Sequence, residues 1–182
     1  RIRETLTKLL EDVKEVVRET DELLKRLNRR VREVVRETEE RLEDLNREVR
    51  KVVRDIERET DDERLRKLLE RVIRESERSV EDVRRHSEEV IRRSEKSVED
   101  LKRHSERVIR TAKELVDRLQ NVDEETVKDI VRKVKRLLEE NRKLAEKITR
   151  DNEELLKENK EMLDEVRRRN TELLKRLREE AK

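Results

Sequence analysis

The chain has 182 residues, of which 56% are charged and 30% hydrophobic, and it contains no Gly, Pro, Cys, Trp, Tyr or Phe. Without Gly and Pro it lacks the residues that tight turns, β-bulges and phosphate-cradling loops depend on, so sheets and nucleotide-binding loops are excluded. Without Cys there is no thiolate nucleophile, disulfide framework or Cys-based zinc site.

Lys and Arg number 52 against 50 Asp and Glu, a net charge of +2, and the signs alternate every few residues. Such a surface offers no long-range field for a phosphate backbone, and there is no aromatic ring on which a base could stack, so no nucleic-acid partner is expected. No apolar run exceeds two residues. Neither a signal peptide nor a membrane span is predicted, and no membrane partner; the chain reads as soluble.

The first predicted helix covers about residues 1–59. Apolar or small residues fall at Ile2, Leu6, Leu9, Val13, Val16, Thr20, Leu24, Leu27, Val31, Val34, Thr38, Leu42, Leu45, Val49, Val52 and Ile56, in steps of three and four. That spacing draws one stripe along an α-helix, and its recurrence every 18 residues matches the twist of an undistorted helix. The residues repeat as well as the pattern: 12–29 and 30–47 agree at 12 of 18 positions.

A break follows at Glu59-Thr60-Asp61-Asp62-Glu63. Thr60 with Glu63 has the spacing of a capping box, acids crowd the next first turn, and the apolar stripe jumps by about 200° at ~100° per residue. The second helix is predicted over about 61–120, where 70–87 and 88–105 agree at 13 of 18 positions. The second break lies at Asn121-Val122-Asp123, with Asn121 suited to a C-terminal cap, Asp123 to an N-cap, and Val122 with Val127 to a hydrophobic staple. The third helix covers about 123–182 and repeats Leu pairs and Asn residues at the same period. Fold class is therefore all-α: one domain, 1–182, forming an up-down-up three-helix bundle of long, nearly straight helices.

Polar residues interrupt or flank the stripe, again 18 residues apart. Folding the chain about the two turns brings them level in four layers. Thr20 meets His104, Ser105 and Asn141; Asn28 meets Ser94 and Asn152; Thr38 meets His86, Ser87 and Asn159; Asn46 meets Ser76 and Asn170. A buried amide or imidazole left unpaired costs ~1–3 kcal/mol, whereas paired groups fix one register against slippage. These fourteen positions are the candidate polar core network.

His86 and His104 stand 18 residues apart, roughly 27 Å along a helix, and cannot share a metal. A Ser-His pair at 86–87 or 104–105 names a nucleophile and a base, but adjacent helical residues diverge by about 100° and no cleft is implied. No catalytic, metal or cofactor-binding residue is assigned, and no enzyme activity is expected. One seam residue per turn is consumed by three helices, so a monomer needing no partner is expected, with a homo-oligomer as the alternative.

The 18-residue periodicity, the two near-duplicated units, the turns without Gly and the layers of Asn, Ser, Thr and His resemble computationally designed, parametrically generated helical bundles with buried hydrogen-bond networks. The resemblance covers the whole chain in style and supplies no functional residue. It implies a synthetic scaffold with no native compartment, cytoplasmic when expressed. The alternative it leaves open is an assembly module in which helices exchange between chains, under pH control through buried histidines.

Overall fold

With no Gly or Pro to interrupt the ladder, each apolar stripe runs through a single helix. The computed structural model describes residues 2–118 and 123–182, and the proposed C-cap at Asn121 and the staple residue Val122 lie outside them. Three helices carry the chain: α1 (Ile2–Glu59), α2 (Glu63–Asp117) and α3 (Glu124–Glu180). No strand occurs among the described residues.

The first turn is built around Asp62. The Asp62 N–H donates to Thr60 Oγ1 at 3.2 Å, and the Arg64 N–H donates to Asp62 Oδ1 at 3.0 Å. Asp62 is thus the N-cap of α2, and its own carbonyl accepts from the Arg66 N–H at 3.1 Å. The capping box expected on Thr60 and Glu63 does not form: the N-cap is Asp62, with Leu65 at N3, and Thr60 instead braces the turn that presents Asp62. At α3 the Thr126 N–H donates to Asp123 Oδ1 at 2.8 Å, and Glu124 and Glu125 place negative charge against the positive end of the helix. Hydrogen bonds from the Thr126 hydroxyl and backbone N–H hold the Asp123 carboxyl below its ordinary value.

The contacts group the residues into two units, Arg1–Arg30 with Arg93–Glu153, and Val31–Arg92 with Glu154–Lys182. Each is a bundle of three helical segments. In the first, Leu9, Val13 and Val16 pack with Val108, Ala112 and Val116 of α2 and with Ile130 and Val134 of α3. A second cluster joins Leu24 and Leu27 to Val98 and Leu101 and to Ala145 and Ile148. Between these clusters the numbering rises on α1, falls on α2 and rises on α3, so the segments run up, down and up. The second unit repeats that order through Val35, Val90 and Leu156, then Leu42, Val83 and Leu163, then Val53, Leu69 and Leu177.

Three stripe positions differ from the sequence reading: Ile2, in the first turn of α1, is exposed, and at two further positions the neighbouring residue takes the buried place. Val35 and Val53 are buried, whereas Val34 and Val52 are half-buried flanking residues. Adjacent residues lie 100° apart, so a stripe stepping by four selects the second Val of each pair and one stepping by three the first. The charged faces carry ion pairs such as Arg18–Glu15 at 2.9 Å, and Arg50 on α1 reaches Glu77 on α2 at 3.4 Å. At this exposure they contribute little to stability.

Candidate functional site

In the first unit, the layer around Asn141 lies between the two apolar clusters. Thr20 donates its hydroxyl to the Val16 carbonyl at 2.8 Å, the back-bond open to a Thr inside a helix. That proton being committed, Thr20 Oγ1 turns a lone pair to α3 and accepts from Asn141 Nδ2 at 3.1 Å. The amide is thereby oriented with Oδ1 toward α2. There Ser105 Oγ donates to it at 2.8 Å, and His104 Nδ1 lies 3.2 Å away.

The second unit repeats this wiring. Thr38 donates to the Val34 carbonyl at 2.8 Å and accepts from Asn159 Nδ2 at 3.0 Å. Asn159 Oδ1 accepts from Ser87 Oγ at 2.9 Å and lies 3.2 Å from His86 Nδ1. Thr20, Thr38, Ser87, Ser105, Asn141 and Asn159 are buried, and both histidines are half-buried.

The donor directions settle the tautomer of each imidazole. Asn Oδ1 has only lone pairs to offer, so a ring nitrogen facing it must carry a proton. The neutral rings of His86 and His104 therefore carry their proton on Nδ1.

The other two layers are wired differently. Asn170 Nδ2 donates to Ser76 Oγ at 3.2 Å, but Asn170 Oδ1 is buried without a partner. Ser94 Oγ and both amide atoms of Asn152 are also buried and unpaired. Asn28 and Asn46 are half-buried, and no hydrogen bond joins either to the serine or asparagine expected at its level. The reason is register. In the second unit Asn170 lies 11 residues beyond Asn159, whereas Asn46 lies 8 beyond Thr38; the residue 11 beyond Thr38 is Val49, which is buried and offers no polar group. Asn28 falls short in the same way, 8 beyond Thr20 where Asn152 is 11 beyond Asn141.

Two features escape the sequence reading: the Val16 and Val34 carbonyls that terminate each wired layer, and Thr149, half-buried on α3 with its hydroxyl donated to the Ala145 carbonyl at 2.8 Å. A Thr within an apolar stripe is the signal for the first pair.

Beside the Asn141 layer, α1 and α3 of the first unit leave an open groove of about 600 Å³ over Thr20, Leu23, Ala145 and Thr149. Among the described residues no group of three or more His, Cys, Asp or Glu is arranged to hold a metal ion, and no helix is long and apolar enough to cross a membrane. No family model matches the chain, and no curated protein or solved structure matches it.

Proposed function

We propose that the chain is a designed structural scaffold, a monomeric helical bundle whose polar layers fix helix register and which carries out no catalysis. The observation behind this reading is the duplicated wiring. Thr, Asn, Ser and His recur in the same roles at 18-residue spacing, with distances of 3.1, 2.8 and 3.2 Å around Asn141 and 3.0, 2.9 and 3.2 Å around Asn159.

Such a layer stabilises less by its own bonds than by penalising alternatives. Apolar seams built from Val and Leu accept a one-turn slip at modest cost, but a slipped Asn141 meets no Thr hydroxyl, and each stranded buried group then costs ~1–3 kcal/mol. Within each unit three helical segments share their apolar clusters, and the remaining surface is charged with both signs interspersed.

Sedimentation equilibrium from about 1 to several hundred micromolar tests the reading. A single species of 22.4 kDa throughout supports a self-contained scaffold. A dimer or trimer that persists at low micromolar concentration would replace it with an assembly module exchanging helices between chains.

A further inference from the structure

We propose that Ser94 and Asn152 enclose a hydration site, in which ordered water completes a layer that the protein alone leaves open. The proposal holds whether or not the chain is a scaffold.

Ser94 and Asn152 are each 1% exposed, and Ser94 Oγ, Asn152 Nδ2 and Asn152 Oδ1 have no hydrogen-bond partner within the protein. Three such atoms in one place are unusual, because buried polar groups in folded proteins are nearly always paired with protein or with ordered water. Between α2 and α3 the register is kept. Ser94 lies 11 residues before Ser105 and Asn152 lies 11 after Asn141, so the pair occupies on antiparallel helices the same relation as Ser105 and Asn141, which bond at 2.8 Å.

What differs is the third helix. Thr20 accepts from Asn141 Nδ2 and so turns Oδ1 toward its serine. Nothing on α1 performs that service for Asn152, because Asn28 stands three residues short of the matching level and is only half-buried. The Asn152 amide is left with two donor protons and an acceptor oxygen that are buried and that no protein group pairs.

The chemistry of these atoms selects the ligand. An amide and a hydroxyl are neutral, and the nearest turns on their own helices present Val98 and Ile148, so nothing there offsets a buried ion. The ligand must be small and must both donate and accept. Water meets both conditions, accepting from Nδ2–H and donating to Oδ1 or to Ser94 Oγ, with two to four such bonds expected of a buried water. The related pair in the second unit, Ser76 and Asn170, bonds directly and leaves a single acceptor, so it is the lesser site.

Side-chain amide NMR on the full chain provides the test, with the Asn141 and Asn159 amides as references engaged by Thr and Ser. The Asn152 Nδ2 protons are expected to show a cross-relaxation peak to long-lived water that the reference amides lack. Ser94→Ala, which keeps the Asn152 amide and removes one partner of the water, should weaken that peak while the helical circular dichroism is retained. An Asn152 amide without a water peak overturns the proposal. If Asn28→Ala at the same time shifts the Asn152 resonance, Asn28 closes the layer; if it does not, Ser94 bonds Asn152 directly.

Discussion

Asn141 and Thr20 are 121 residues apart in the chain, yet Asn141 Nδ2 donates to Thr20 Oγ1 across 3.1 Å. Thr20 can accept because its own proton is spent on the Val16 carbonyl, so the contact has a direction as well as a length. Thr20→Val keeps the shape and removes the acceptor. It is expected to destabilise the first unit by about 1–3 kcal/mol, the cost of an unpaired buried amide. A triple change, Thr20→Val with Asn141→Leu and Ser105→Ala, removes the polar core of the layer together. It should be neutral or stabilising, since the buried partners are replaced together and only the half-buried His104, which has an edge toward solvent, is left of the layer. Urea midpoints of the two variants decide; a triple variant weaker than the single one would show that the bonds themselves stabilise.

Leu substitutions at the two asparagines of the first unit should differ in sign or at least in size. Asn141→Leu strands Thr20 as an acceptor and Ser105 and His104 as donors, whereas Asn152→Leu removes an amide that no protein group pairs and leaves only Ser94 behind. The Asn152 variant is expected to be the more stable of the two by about 1–3 kcal/mol. Equal midpoints would mean that the two asparagines stand in equivalent surroundings.

Much of the helical architecture was legible because the stripe spacing and the absence of Gly and Pro admit few alternatives. Level between helices was legible only to within a turn. Folding about turns centred near 61 and 121.5 sets Thr20 level with residue 102, whereas the structure joins it through Asn141 to Ser105, three residues or ~4.5 Å further along α2. That error is small for His104 and Ser105, which straddle the layer, and decisive for Asn28 and Asn46, which it separates from Asn152 and Asn170. Donor direction was not legible at all, since it depends on which Thr proton is already bound to a backbone carbonyl.

Ala145 occupies the position filled by Val127 and Leu163 at 18-residue spacing, and its small side chain leaves the groove over Leu23 and Thr149. Ala145→Leu should cover Leu23 and raise stability by roughly 1–2 kcal/mol, on the scale of ~0.8 kcal/mol per buried methylene. A lowered midpoint in chemical denaturation would show instead that α1 and α3 are already in close contact there.

Each histidine donates from Nδ1 to an asparagine oxygen whose other contact is a serine hydroxyl. Nitrogen-15 NMR of the imidazoles should therefore find the neutral rings protonated at Nδ1. Both rings are half-buried, so each keeps one edge toward solvent while its Nδ1 faces the asparagine. Finding the Nε2–H tautomer in either ring would break the donor order argued for both layers.

The Asp123 carboxylate caps α3, accepting from Thr126, and its hydrogen bonds lower its pKa from the ordinary value. For a carboxyl with a depressed folded value, the linked stabilisation is fully present above the unfolded value near ~3.9 and is lost as pH falls through the lower, folded value. Asp123→Ala should therefore weaken the start of α3 across neutral and mildly acidic pH, with the gap to the parent closing only below about pH 4. Asp123→Asn keeps an acceptor for the Thr126 N–H without the charge, so its difference from Asp123→Ala should not vary with pH in that range. Amide exchange at Thr126 and Val127 reads the effect locally, where global unfolding would dilute it. If the parent and the Asn variant protect these amides equally at pH 7 and still do so below pH 4, the Asp123 charge contributes nothing and the cap acts through its hydrogen bond alone.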